Sequence, residues 1–563
     1  MAGEETKTLM IADAFDAGVA AQRRGDWAQA EGIYREIVRV KPDFAEPYNN
    51  LGAALKALGR PEEAVESYRR AVAVKPDYGE AWRNLARTLR ALGRDEEAAD
   101  SYRGLVAVVP GDANAHTDLG EMLLALERRE EAVACFDRAL AIDPSDARAL
   151  NDLGVALERM GRLEEAVESY RRALAVAPQH AGACNNLGNA LKALDRFEEA
   201  VDSYRQAVAI MPDSAEFALN LGSALEGLNH HRESIAWYRR AQALDPEFAE
   251  AHWNEALSAL CLGDFETGWT KYEYRWRRRA AAKRRTFGRP QWLGESDCNL
   301  DGRTILLHAE QGFGDTIQFL RFVTAVVARG GRVVLEVQPS LVALVGASLD
   351  LLVQGGQDRV TVVGRGDPLP PLDLVCSLLS LPLALGTRVS TLPDAVPYLE
   401  PPPDRVVAWQ ARLSGGRRRV GVAWSGQPAH ANDRHRSMSL AALAPLLLRA
   451  DIDFYVLQNQ LRDGDRETIE KIPGLTYLGD ELNDFADTAA LTAAMDLVIS
   501  VDTSIAHLAG ALARPVWVLL PFSPDWRWML DRDDSPWYPT ACLHRQPAIG
   551  DWDSVIARVA ADL

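Results

Sequence analysis

Apolar positions in the first half of the chain fall on a fixed ruler. Leu51, Leu85, Leu119, Leu153, Leu187 and Leu221 recur every 34 residues, and Tyr34, Tyr68, Tyr102, Phe136, Tyr170, Tyr204 and Tyr238 keep the same interval. So do Pro42, Pro76, Pro110, Pro144, Pro178, Pro212 and Pro246. One leucine face, one aromatic and one helix stop per 34 residues predict paired antiparallel helices. From about residue 300 the pattern changes to short β-branched runs alternating with helical stretches. The segments 303–309, 332–337 and 359–363 read as strands, and 419–424, 453–458, 496–501 and 515–520 as a second set. Such alternation predicts a mostly parallel sheet in each set.

Each repeated position has a mechanical reason. Gly52 and Ala64 are small where the two helices of a unit must approach, and Tyr68 is expected to fill the seam with the next unit. Gly59 suits a helix end, Pro61 a first helical turn, and Pro76 a stop, because proline lacks an amide hydrogen. The period and these offsets are the tetratricopeptide (TPR) pattern, whose units bury one another's faces in a one-dimensional stack. Eight units fit between residues 11 and 278. The outer two are degenerate, with Ala17 and Glu255 in place of the leucine, as suits ends that cap or dock. The fold class is thus an all-α TPR solenoid followed by two α/β lobes, 300–405 and 415–563, with 279–299 as a basic and aromatic linker.

A polar residue precedes each leucine: Asn50, Asn84, Asp118, Asp152, Asn186, Asn220 and, later, Asn254. On a concave face these side chains would pair with the backbone of an extended peptide. The pattern resembles the asparagine ladder of the superhelix in O-linked N-acetylglucosamine transferases. The alternative is a polar helix position satisfied by local hydrogen bonds.

Composition narrows the function classes. The 563 residues carry 80 acidic and 62 basic side chains, a formal charge of −18, which disfavours a nucleic-acid or anionic-membrane binder. Six cysteines stand far apart with no CxxC spacing, which predicts buried or semi-buried thiols in a reducing compartment. No apolar run approaches a membrane span and the first residues lack a secretion signal, so a cytoplasmic location is expected. Against the acidic background, seven basic residues lie between Arg275 and Arg285, beside Trp269, Tyr272, Tyr274 and Trp276. The tail of a capping helix, its charges facing solvent or the next domain, accounts for them without invoking nucleic acid. Pro-rich stretches at 369–373 and 400–404 mark a domain junction.

Two loops carry candidate chemistry. Gly312-Phe313-Gly314-Asp315 lies where a strand feeds a helix. Its glycines would let the backbone approach a ligand, or Asp315 would simply cap the helix. Ser500-Val501-Asp502-Thr503-Ser504-Ile505-Ala506-His507 also leaves a strand and enters a helix. His507 there either faces the cleft or is an ordinary helix histidine satisfied by the core. Asp531-Arg532-Asp533 matches a metal-holding DxD spacing but lies in a Trp/Pro-rich loop and reads as a surface turn. No HxH, HExxH or Cys/His cluster offers a metal site, so neither metal nor cofactor is predicted.

The pairing of GxGD with DTxxxHLA resembles the ADP-heptose:lipopolysaccharide heptosyltransferases, inverting glycosyltransferases of the GT-B type. The resemblance runs over about 300–545. The whole order of TPR array, HAEQGFGDTIQF, WSGQP and DTSIAHLAGALARPVWVLLP is similar to bacterial TPR–glycosyltransferase fusions, including flagellin-modifying enzymes. This resemblance implies Asp315 as general base, taking a proton from the acceptor hydroxyl as the sugar leaves its nucleotide. It implies donor contacts at Asp502, Thr503 and His507, and phosphate binding at Ser425 and Gly426. Arg436 would stand for a family lysine that offsets diphosphate charge. Ser504 departs from the glycine usual in the heptosyltransferases.

The resulting expectation is a metal-independent, inverting glycosyltransferase that moves a sugar from a nucleotide donor to a protein held by the TPR groove. Flagellin as acceptor and a CMP-linked nonulosonic acid as donor follow from the resemblance alone. A non-catalytic TPR scaffold with a degenerate transferase half is the first alternative, and heptose transfer onto lipopolysaccharide the second.

Overall fold

The structure, a computed structural model, describes residues 2–279, 284–295, 299–310, 312–353, 355–413, 416–430 and 432–563. Cys298 and Lys283 of the basic run lie outside the described residues. The chain divides into two compact units, Met1–Asp213 and Ser214–Leu563.

Helix ends in the first unit fall where proline and glycine place them. In the second repeat the helices Ala45–Ala57 and Pro61–Val74 are separated by Gly59 at φ +75°, with Pro61 in the first turn of the second helix. A left-handed residue closes the first helix at little cost when it is glycine. Non-glycine residues take the equivalent place at Glu127 (φ 59°) and Asp195 (φ 61°). Six such hairpins make up this unit, ending with Phe197–Ile210. The repeated aromatic fills its own hairpin rather than only the seam to the next. A Cβ on Gly52 would stand 2.6 Å from the Tyr68 ring, and one on Gly154 2.5 Å from Tyr170. Glycine recurs there because the ring lies against bare backbone.

The second unit begins inside the repeat pattern. Its first two hairpins are Ala215–Gly227 with His231–Leu244, and Ala249–Cys261 with Phe265–Tyr272. The last of these shares one core with the α/β region: Leu260, Phe265, Trp269 and Tyr272 pack in a cluster with Ile317, Phe319, Trp526 and Trp537. Apolar burial on this scale joins the last repeat to the sheets, so Ala249–Tyr272 lies in the same unit as they do. Glu255, which replaces the repeat leucine, is fully buried and ion-paired with Arg239 and Lys271.

Two parallel sheets follow. The first has β1 (Thr304–His308), β2 (Arg332–Val337), β3 (Val360–Gly364) and β4 (Leu374–Ser377) in the order β3-β2-β1-β4. The second has β5 (Arg418–Ala423), β6 (Ile452–Val456), β7 (Leu475–Tyr477), β8 (Leu497–Val501), β9 (Val516–Leu520) and β10 (Ala541–Arg545). Its order, β10-β9-β8-β5-β6-β7, is that of a doubly wound sheet. All pairings between these strands are parallel, and the central β1 and β8 are buried along nearly their whole length, whereas β3 and β7 are partly exposed. The order reverses between β1 and β4 in one sheet and between β5 and β8 in the other. Ligands of such sheets bind beyond the carboxyl ends of the strands at these reversals.

The proline-rich stretches do not both mark the junction. The first leads directly into β4, so it belongs inside the first sheet. Helix Pro403–Gln410, which begins inside the second, packs against helix Phe485–Ala493, where Trp409 Nε1 and Arg405 both donate to Asp487. It therefore belongs with the second sheet, although the first lobe was expected to run to residue 405.

Candidate functional site

The loops that leave β1 and β8 meet. Helix Phe313–Phe319 packs on helix Ser504–Ala511, and the two touch through a glycine: a Cβ on Gly314 would lie 2.8 Å from His507 Cδ2. Gly312 is tight for a different reason, since its Cβ would meet Asp315 Oδ2 at 2.7 Å. Neither glycine has a positive φ. Both are demanded by the protein's own side chains. Gly312, not Asp315, is the N-cap residue; Asp315 sits two residues into the helix with its carboxylate folded back over the loop.

Asp315 is met by an arginine that sequence reasoning missed. Arg527, in the short helical turn Trp526–Trp528 after β9, donates from Nη2 to Asp315 Oδ1. Its Nε bonds Gln318 Oε1 at 2.7 Å and its Nη1 bonds Asp525 Oδ1 at 2.8 Å. The guanidinium also lies 4.3 Å from the Trp526 ring centre. Burial pushes the Asp315 carboxyl above its ordinary value; Arg527 pulls the other way, and Asp525 adds to the rise. A carboxylate so held is a better proton acceptor than a free aspartate.

On the second sheet, the residues expected to bind donor converge at the β5/β8 reversal. Arg436 Nη1 donates to the Asp502 carbonyl at 3.1 Å, and a Cβ on Gly426 would touch the same guanidinium at 2.5 Å. Gly426 N donates to Ser437 Oγ, and Ser425 N and Oγ both bond the Gln458 carboxamide. Asp502 is buried and its carboxyl is pushed up to about 6, first by desolvation and then by Asp525, with Arg436 and Arg527 opposing. Thr503 is the N-cap of helix Ser504–Ala511, accepting from Ile505 N.

His507 is surrounded by protein. Its Nδ1 lies 3.0 Å from Tyr538 Oη, its Nε2 3.8 Å from Asp502 Oδ1, and its ring stacks on Trp528. Burial and the nearby Arg527, Arg321 and Arg436 hold it well below the usual imidazole range, so it is neutral at neutral pH. The satisfied helix histidine describes these surroundings, and its steric role is to seat Gly314. His430, from the loop after β5, is the opposite case: exposed, yet within electrostatic reach of Asp315, Asp525 and Arg436.

The assembled site is therefore three carboxylates, Asp315, Asp502 and Asp525, interleaved with Arg436 and Arg527. Alternating charge of this kind presents fixed donors to an anion and one basic carboxylate to a proton. Arg527 and Asp525 follow β9, the strand next to β8, but no motif in the sequence marks them. The exposed Asp531 and Asp533 lie apart, with Arg532 bonded to Asp534. Among the described residues, no group of three His, Cys, Asp or Glu side chains is placed to hold a metal ion.

The ladder positions have intramolecular partners. Asn84 donates to Asn49, Asn186 to Asn151, and Asn50 to Tyr34. Asp118 accepts from Arg148 and Asp152 from Asn151, while Asn254 bonds Tyr238. Asn220 is also engaged. A peptide backbone would have to compete with these bonds. Asp152 is pushed up to about 6 by burial.

Family models for the tetratricopeptide repeat match residues 15–73, 49–115, 111–179, 145–213 and 185–247. A protein named FlbA from Caulobacter vibrioides is 28% identical over 327 residues, 54% of this chain and 53% of its own. The chain thus spans about half the length of that relative. Among solved structures, YrrB, a TPR protein with an unusual peptide-binding site, is 23% identical over 32% of this chain and 93% of its own, with a TM-score of 0.30. PilF of Pseudomonas aeruginosa is 19% identical over 38% of this chain and 96% of its own, with a TM-score of 0.33. The N-terminal region of the chain is a TPR array, and the C-terminal region an α/β fold with two parallel sheets.

Proposed function

We propose that the protein is an inverting GT-B glycosyltransferase that moves a sugar from a nucleotide donor to a protein recognised by its TPR array. The observation that carries this reading is the meeting of Asp315, from the carboxyl end of β1, with Arg527, Asp502 and Arg436 from the carboxyl ends of the second sheet. In this reading Asp315 takes the proton of the acceptor hydroxyl as the C–O bond to the sugar forms. Arg436 and Arg527 offset the charge left on the departing diphosphate or phosphate. TPR repeats support a protein acceptor, since such arrays are protein-recognition surfaces. The flagellar sound of the relative's name supports flagellin as the first acceptor to try, with a CMP-linked nonulosonic acid as donor.

The test has two arms. Titration of the full chain with CMP, UDP, GDP and ADP should show one nucleotide binding, lost in Arg436→Ala. Intact-mass spectrometry of flagellin from cells with and without the gene should show a sugar-sized mass step that Asp315→Asn abolishes. The scaffold alternative draws on the Arg527–Asp315 ion pair, which occupies the base; it predicts no nucleotide binding and no mass step.

A further inference from the structure

A pocket of about 490 Å³ lies at the carboxyl ends of β1 and β4, the reversal point of the first sheet. Its walls include Trp276, Arg284, Arg285, Phe287 and Arg289 from the join, and His308 and Ser377 from the ends of the two strands. The volume is in the range of small-molecule sites.

The join is anchored there by backbone. Trp292 N donates to Val375 O and Val375 N to Pro290 O, so residues 290–292 lie along β4 like a short added strand. This fixes the arginines before it. Their charges are not equivalent. Arg285 is spent on Glu336, a buried residue of β2 directly beside His308. Arg284 lies over the Trp276 ring, 5.7 Å from its centre. Arg289 is exposed and makes no ion pair with any of the described residues. Two guanidinium groups are thus left to the pocket.

The interior contains unmet polar atoms. His308 is 7% exposed, its ring is tilted against Phe287 with centres 5.0 Å apart, and its Nδ1 has no hydrogen-bond partner among the described residues. The indole Nε1 of Trp276 is likewise buried and unpartnered. Native proteins seldom leave such atoms unpaired unless something else satisfies them. The lining therefore combines two arginines outside any ion pair among the described residues, two aromatic rings that already carry guanidinium groups, and two ring nitrogens without partners among those residues.

We propose that this pocket binds a compact anion, a phosphate- or carboxylate-bearing molecule of about monosaccharide size. Arg284 and Arg289 take the acid group, and His308 Nδ1 and Trp276 Nε1 meet its other polar atoms. Recognition here is separate from the donor groups of the second sheet and does not depend on the transferase reading. Ser377 links the two places: its hydroxyl donates to Glu310, whose charge is felt at Asp315.

The test is calorimetric titration of the full chain with glucose 6-phosphate, glucuronate and glucose as probes. At least one acid should bind, and glucose should bind no less than about tenfold more weakly, the effect of losing charge-assisted hydrogen bonds. Arg284→Ala and Arg289→Ala, both exposed positions, should each weaken the acid about tenfold or more with the helical circular dichroism unchanged. Arg436→Ala should leave its affinity intact. Which acid binds separates phosphate from carboxylate recognition. The proposal is overturned if neither acid binds, if glucose binds equally well, or if Arg436→Ala removes binding while the two join variants keep it.

Discussion

Arg527 holds Asp315 across the two sheets: a guanidinium carried by the loop after β9 donates to a carboxylate on the first helix after β1. The same arginine bonds Asp525 and Gln318, so its position is set by groups from both sides of the site. In the transfer proposed above, a residue so placed sets the proton affinity of Asp315.

That relationship makes a signed prediction for pH. Burial raises the Asp315 carboxyl and Arg527 lowers it. Removing the larger of the two lowering charges, with His430 the other, leaves the raising causes dominant, so Arg527→Ala should move the acidic limb of the proposed transfer upward. The shift should be about 1–3 pH units, the size typical of a close opposite charge. Arg527→Lys should keep most of the wild-type limb. The profile of kcat/KM against pH is the measurement. A limb that stays put or moves down in Arg527→Ala would show that another group supplies the base.

Close packing gives a second prediction. Gly314 has no room for a side chain, because its Cβ would reach 2.8 Å from His507 and 3.6 Å from the Ser504 backbone. Both helices are fixed by their sheets, so Gly314→Ala should cost about 1–3 kcal/mol of stability in the second unit. It should also displace Asp315 and lower transfer. If the clash is with the imidazole, removing the ring makes room. The double variant Gly314→Ala, His507→Ala should then lose less than the two single losses added together. Denaturation midpoints of the four proteins decide it, and strict additivity would count against direct contact.

The sequence was most legible where one period governs many residues. The repeat spacing of leucine, aromatic and proline placed the hairpins because each mark has one local job, such as Pro61 in a first turn or Gly59 at a left-handed end. Strands β1, β2, β3, β5, β6, β8 and β9 were legible from their β-branched runs. The strands β4, β7 and β10 were not. β4 is four residues, LVCS, preceded by prolines that read as a break, and β7 is three. In the site, Asp315, Arg436 and Asp502 were legible from motif resemblance. Arg527 was hidden because Asp315 and Gln318, the partners that place it in the site, lie more than two hundred positions earlier, and no period or motif connects Trp526-Arg527-Trp528 to the GxGD loop. The join misled in the opposite way. Arg275 reads as one more solvated charge, yet it is buried and paired with Glu310, Glu273 and Ser380.

The last prediction concerns the array. Most units end their first helix on glycine, but Glu127 does so at φ 59° and Asp195 at φ 61°. A left-handed conformation costs an ordinary side chain about 1–2 kcal/mol, and aspartate less, because its short polar group bonds the local backbone. Glu127→Gly removes that cost. It also gives up two exposed ion pairs, to Arg129 and Arg159, each worth little, and adds entropy to the unfolded chain. The balance should favour the variant by about 0.5–1 kcal/mol, while Asp195→Gly gains less. Urea unfolding followed by circular dichroism at the helical band measures both. A lower midpoint for Glu127→Gly, or a larger gain for Asp195→Gly, would mean that the ion pairs outweigh the backbone.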